Sequence, residues 1–213
     1  MTLYGVGLGP GDPGLVTVRG REAIEAAEVV FAPGDLAADL AKSYVASERI
    51  ERLSFPMTRD ETALREAWAE AAETVTQVAR DGTAAFVTIG DPNIYSTFSH
   101  LERSLEQYLE VAVETVPGVS VVTAFTSAMD LTIENGPLDV REARAGVPED
   151  ADQVLLLKVT DVPETHQELT AAGYSVTYGR RLFMPNGTVT TDPTTLDAGD
   201  YFTVAYATRG RSA

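Results

Sequence analysis

Three short turns in this chain set glycine beside proline or aspartate where an apolar run gives way to a helical pattern: Gly9-Pro10-Gly11-Asp12-Pro13-Gly14, Gly90-Asp91-Pro92 and Pro117-Gly118-Val119. The stretch LYGVGLGPGDPG (3–14) holds five glycines and two prolines, a composition suited to neither a helix nor a strand interior. The run from Gly9 to Gly14 matches G-x-G-x-x-G, and Asp35 stands roughly 20 residues beyond it, where a ribose-binding acid belongs, so a nicotinamide dinucleotide is one reading. Pro10 and Pro13 oppose it, because each removes a backbone N–H from a loop that would have to cradle a pyrophosphate. No G-K-[ST] follows, which removes a nucleotide P-loop. With no Cys and two His, the chain has no disulfide or thiolate nucleophile and hardly the means for a Cys/His zinc site, so any metal arrives with a ligand.

The elements around these turns alternate. LYGVG (3–7) reads as a buried strand, TVRGREAIEAAE (17–28) as a helix capped by Thr17, and VVFA (29–32) as a strand, which together make a βαβ unit. LAADLAKSYV (36–45) suits a short helix. The clearest helix starts at a Thr58 cap, with Glu61 completing a capping box and Gly82 as its stop. TAAFVTI (83–89) is a strand that runs into GDPNIYSTFSHL, where Tyr95, Phe98, Leu101, Leu105, Tyr108 and Leu109 fall at helical spacing. VAVETV (111–116) is a further strand, and PGVSVVTAFTSAMD a turn followed by a helix. A strand-to-helix junction of this kind is where α/β proteins bind ligands. Residues 134–152 read as a polar, Gly/Pro-rich linker, followed by the strand QVLLLKV (153–159), the helix VPETHQELTAAG and the strands YSVTYG and YFTVAYATR. The domain boundary is placed in ETVPGVS, dividing 1–115 from 116–213.

Thirty-two acidic residues against sixteen basic give a formal net charge of −16, which repels nucleic acid phosphates and anionic membrane surfaces. No apolar run approaches the roughly 20 residues of a membrane span, and the N-terminus shows no charged segment followed by an apolar one. The reading is a cytoplasmic protein with neither nucleic acid nor membrane as partner.

YGVGLGPGDPGLVTVRGREAI, GDPNIYSTFSHL and ETVPGVS, in this order and spacing, resemble the tetrapyrrole methylases, the S-adenosylmethionine-dependent enzymes of cobalamin and sirohaem synthesis. GDPNIYSTFSHL is most similar to the C20-methylating branch, whose substrate is cobalt-factor II or precorrin-2. The resemblance implies an α/β fold of two domains with a ligand cleft between them, S-adenosylmethionine as methyl donor, cobalt only as part of the substrate, and a homodimer. It also implies cofactor contacts at Pro10, Ile89, Gly90, Asp91, Ile94, Ser120 and Val121, with later ones at Leu157 and Met184. Gly9, Gly11, Arg19, Tyr95 and Ser96 are the substrate candidates, and the small residues around Pro10 leave room for a wide, flat ligand.

Asp91 is the one candidate catalytic residue; its side chain either accepts hydrogen bonds from the cofactor or closes an Asx-turn before Pro92. Ser120 equally suits a helix cap. Tyr95, Phe98 and Trp68 suit packing, His100 the edge of a core and His166 the surface. A many-carboxylate tetrapyrrole needs local positive charge, for which Arg19, Arg103, Lys158, Arg180 and Arg181 are the candidates, Arg19 first.

Overall fold

The apolar runs of the first 120 residues become parallel strands. The computed structural model describes residues 2–56, 60–108, 110–196 and 198–210, and the chain divides into two units at Ser120/Val121. In the first, β1 (Thr2–Gly7), β2 (Val29–Ala32), β3 (Ile50–Arg52), β4 (Thr83–Thr88) and β5 (Ala112–Val116) form one parallel sheet in the order β3-β2-β4-β1-β5. Alternate residues face opposite ways. Val6, Val30, Ala32, Ala85 and Val87 pack with α1 (Val18–Ala26) and α2 (Asp35–Ala41). Leu3, Phe31, Ala84 and Phe86 pack with α3 (Glu61–Ala79) and α4 (Phe98–Leu105).

The connection from β1 to β2 passes over β4, while that from β4 to β5 passes over β1 in the opposite direction. The two crossovers leave their helices, α1 and α4, on opposite faces. The strand order therefore reverses between β1 and β4, and their carboxyl ends flank the switch point where open α/β sheets bind ligands.

The second unit carries α5 (Val121–Ala128), β6 (Leu138–Glu142), β7 (Gln153–Leu157), α6 (Val162–Ala171), β8 (Ser175–Arg180), β9 (Thr188–Thr190) and β10 (Thr203–Thr208). Its sheet runs β6-β7-β10-β8-β9, with β6 and β7 parallel and the other neighbours antiparallel. Val162 and Leu169 of α6 pack on Val154, Leu156, Tyr178 and Ala205, while Phe125 of α5 packs with Leu155, Leu157 and Val204 of the opposite face. No helix among the described residues is long and apolar enough to cross a membrane.

Several expectations are corrected. The stretch read as a linker contains β6, an edge strand whose five residues are all half-buried; an edge tolerates charges that mask the apolar alternation. Strands β3 and β9, of three residues each, were too short to leave a pattern. Asp60 caps α3, accepting from the backbone N–H of Thr62 and Ala63 at 2.8 and 3.3 Å, whereas Thr58 lies outside the described residues, as does Leu109. The helix after GDP starts only at Phe98, and α2 stops at Ala41.

Candidate active site

The loops after β1, β4 and β5 are built onto one another. A Cβ added at Gly118 would lie 2.2 Å from the Gly90 carbonyl oxygen and 2.7 Å from the Gly7 Cα, so the backbones meet at a distance only glycine permits. Gly9 and Gly90 exchange two backbone hydrogen bonds, Gly90 N–H to Gly9 O at 2.7 Å and Gly9 N–H to Gly90 O at 3.3 Å. Here lies the reason for much of the glycine in the first loop: it seats the neighbouring turns. Gly5 has another reason, because a Cβ there would collide with the Phe98 ring at 2.4 Å.

Asp91 locks this arrangement. Its Oδ1 accepts from Asn93 N–H at 2.8 Å, which is the Asx-turn, and its Oδ2 accepts from Gly118 N–H at 3.1 Å, joining the GDP turn to the PGV turn. The side chain is largely buried, so both of these bonds are partly shielded from water. Thr17 adds a second tie: its hydroxyl oxygen accepts from Gly20 N–H at 3.0 Å, capping α1, and its O–H donates to Pro117 O at 3.3 Å. Asn93 Nδ2 donates to Thr115 Oγ1 at 3.3 Å, and Tyr44 O–H donates to Pro13 O. Burial, then the charge of Asp12, pushes the Tyr44 phenol above its ordinary pKa of 10.0, so it remains a donor. The sequence identified Thr17 as a cap, but its bond to a residue one hundred positions away leaves no local signal.

The Cβ position of Gly90 opens onto free space, with no atom within 4 Å. Pro10 and Gly11 are buried, Ile89 is half-buried, and Ile94 and Tyr95 are exposed. Tyr95 takes a left-handed φ of 50°, which turns the chain between the GDP loop and α4, so it neither continues the helix nor packs as expected. Ser96 has a hydroxyl that meets Thr88 Oγ1 at 3.1 Å and accepts from Phe98 N–H at 3.1 Å. Ser120 is buried directly before α5, and Val121 opens that helix half-buried.

Leu157 ends β7, buried, and Met184 is half-buried in the turn after β8, its N–H donating to Arg181 O at 3.0 Å. Arg19 is exposed, 3.7 Å from Glu114, and Arg103 reaches His100 Nδ1 at 2.8 Å on α4. Lys158, Arg180 and Arg181 all lie at the carboxyl ends of β7 and β8. His100 is exposed with its ring stacked on Trp68, centroids 5.6 Å apart. His166 is half-buried rather than on the surface, with Nδ1 3.1 Å from the hydroxyl of buried Tyr178. Asp35 pairs with Arg52 at 3.0 Å. Among the described residues no three His, Asp or Glu side chains gather in a way that could hold a metal ion.

Residues 2–197 match the family described as tetrapyrrole (corrin/porphyrin) methylases. The chain belongs to this family. A relative named "Probable cobalt-precorrin-2 C(20)-methyltransferase" from Methanocaldococcus jannaschii is 36% identical over 140 residues, covering 63% of this chain and 60% of that protein. The cobalt-precorrin-2 C(20)-methyltransferase of Salmonella typhimurium is 30% identical over 175 residues, 74% of this chain and 72% of that protein. The chain thus spans less than two thirds of the first of these relatives. Uroporphyrin-III C-methyltransferase from Thermus thermophilus, solved as a complex with S-adenosylhomocysteine, superposes with a TM-score of 0.70 at 16% identity, over 98% of this chain and 97% of that one. This family membership does not favour the nicotinamide reading of the first loop, whose Gly9 amide and carbonyl are already paired with Gly90.

Proposed function

We propose that this chain transfers a methyl group from S-adenosylmethionine to C20 of cobalt-factor II or precorrin-2 in cobalamin synthesis. The observation that carries the position is its similarity to proteins named as C20-methyltransferases in two organisms. The geometry supports the reaction class. A ligand can approach the backbone at Gly90, where a side chain would otherwise stand, between the apolar Ile89 and Ile94, so the residues of this loop fit a cofactor of mixed polarity.

S-Adenosylmethionine supplies an electrophilic methyl on a sulfonium. Pro10, Ile89, Gly90, Asp91, Ile94, Ser120, Val121, Leu157 and Met184 would hold it. In this reading Asp91 is a positioning residue: it holds the GDP turn against the PGV turn and so keeps Gly90 and Ser120 in place. Methyl transfer removes a positive charge, so the rate depends on aligning the nucleophilic carbon with the methyl and on excluding water, and no protein nucleophile is required. Gly9, Gly11, Tyr95 and Ser96 are the proposed substrate neighbours, cobalt entering only with the macrocycle, and the working form is a cytoplasmic homodimer.

Calorimetry with S-adenosylhomocysteine and NAD side by side tests the cofactor, and binding of the former alone is expected. Incubation with S-adenosylmethionine and cobalt-factor II, followed by mass spectrometry and NMR location of a labelled methyl, should yield one methyl at C20. Uroporphyrinogen III should be a poor acceptor, because it presents the wrong carbon to the sulfonium. A label at another ring carbon refutes the C20 assignment.

A further inference from the structure

The first glycine loop is anchored at its start by backbone, and further along by a side chain from a different part of the first unit. Gly9 is bonded in both directions to Gly90. Beyond that pair the loop has little backbone with which to hold itself: Pro10 and Pro13 carry no N–H, and among the described residues neither Pro10 nor Gly11 makes a backbone hydrogen bond. The chain then winds through a short 3-10 turn at Pro13–Leu15. There Asp12 Oδ1 accepts from Gly14 N–H at 2.7 Å, Leu15 N–H donates to Asp12 O at 2.9 Å, and Val16 N–H donates to Pro13 O at 3.1 Å. These bonds all lie inside the turn, so they shape it without fixing where it stands. Asp12, Pro13 and Gly14 are exposed, with no packing around them to do so.

The tie from outside is Tyr44, 31 residues from Pro13, whose O–H donates to Pro13 O. Among the described residues it is the one hydrogen bond that reaches the segment between Gly9 and Thr17 from elsewhere in the chain. Tyr44 is itself well fixed. Its N–H donates to Ala41 O at 3.0 Å, and Val45 N–H donates to the same carbonyl at 3.2 Å, in the turn that closes α2. Val45 is buried, and the Tyr44 ring packs on the core that α1 and α2 share with Val6, Val30 and Val87. A close-packed core holds such a ring in one place, so its hydroxyl is a fixed donor at the edge of the loop. Phenylalanine would fill the same place on the core and offer the loop no bond.

We propose that Tyr44 is a positioning residue of the methyl-transfer site: its hydroxyl sets where Gly11 to Gly14 stand, and so how tightly the methyl acceptor is held. The inference rests on the methyltransferase reading in taking Gly9 and Gly11 as substrate neighbours. Pro10, the cofactor contact of this loop, follows directly on the Gly9–Gly90 pair and is held by it. Loss of the Tyr44 bond should therefore reach the acceptor and spare the cofactor. The loop contributes binding that is alike in the ground and transition states, so the effect belongs in KM rather than kcat.

The test is the variant Tyr44→Phe, which removes one oxygen. Methylation is measured with whichever of cobalt-factor II, precorrin-2 and uroporphyrinogen III the unsubstituted chain turns over fastest. KM for that acceptor should rise at least about threefold, with kcat and the S-adenosylhomocysteine Kd each within about twofold. Amide hydrogen exchange supplies a readout that needs no turnover: a peptide covering 8–16 should exchange at least about threefold faster, and one covering 89–93 at its original rate. Tyr4→Phe, which trims a ring packed on the same core, should change none of these quantities. If the unsubstituted chain neither binds S-adenosylhomocysteine nor methylates any of the three acceptors, the methyltransferase reading falls, and unchanged exchange in Tyr44→Phe would then overturn the tie as well. Where turnover is present, an unchanged KM, or a loss of S-adenosylhomocysteine affinity as large as the rise in KM, overturns this inference alone.

Discussion

The carboxylate of Asp91 accepts from two backbone amides, that of Asn93 beside it and that of Gly118, 27 residues further along the chain. Asp91→Ala leaves both donors unsatisfied in a largely buried place, so a loss of about 2–3 kcal/mol is expected, read as a lower unfolding midpoint in urea. S-Adenosylhomocysteine affinity should fall at least tenfold, and Asp91→Asn, which keeps one acceptor, should lie between the two proteins on both scales; unchanged stability with lost affinity would instead mean direct contact with the cofactor. Gly118→Ala is the sharper case. Its Cβ would meet backbone atoms of Gly90 and Gly7 that cannot swing aside, and a loss of at least about 2 kcal/mol is expected in the same titration. From sequence, Asp91 was legible as an Asx-turn former or a ligand, but its bond to Gly118 depends on β4 and β5 lying on either side of β1.

Helix α3 shows what local chemistry does and does not reveal about an element. Its body was legible from its Ala, Glu and Arg content, and its end before Gly82 was legible as well. The cap moved to Asp60, which accepts from two first-turn amides where the capping-box reading had placed Thr58. Asp60→Ala should cost about 1 kcal/mol, measured as a shift of the urea midpoint at constant slope. A drop of less than a few tenths would mean that other residues satisfy those amides. Strand β6 was illegible for a different reason: its charged residues pair among themselves and with neighbours, Arg141 with Asp139 and Glu142 with Lys158, so the alternation of a half-buried edge was written in ion pairs rather than in apolar side chains.

Over the whole molecule the excess of acid and the paired carboxylates act in opposite directions on stability. Burial works to raise Glu142, but the hydrogen bond and charge of Lys158, with Arg144 behind them, outweigh it and hold the carboxyl below its ordinary 4.5. Burial likewise works to lower Lys158, and its bonds to Glu142 and Tyr201 hold it above 10.5. The unfolded chain therefore takes up a proton at Glu142 before the folded one does, so this contribution is complete above the ordinary carboxylate range and disappears as pH falls through the lowered value. The Lys158 contribution is complete below 10.5 and disappears as pH rises through the raised value. Melting temperature should thus decline on acidification below about pH 4.5, and decline less steeply in Glu142→Gln. At neutral pH, added salt should raise the melting temperature of a −16 chain by screening its self-repulsion; a flat response would show that its surface charges are already balanced by their ion pairs.

What the sequence alone determined is local: where apolar runs break at glycine and proline, the Thr17 cap of α1, the alternation of strand and helix, and motifs specific enough to indicate the methylase family. These follow from backbone sterics and from the periodicity of burial, which act over a few residues. Only the tertiary structure decided that Gly7, Gly90 and Gly118 stand back to back, that Thr17 reaches Pro117, and that Lys158 and Arg181 share one sheet end. Each of those contacts depends on strand order, and strand order is set by which apolar faces bury one another across the whole sheet, a condition no short stretch of sequence contains.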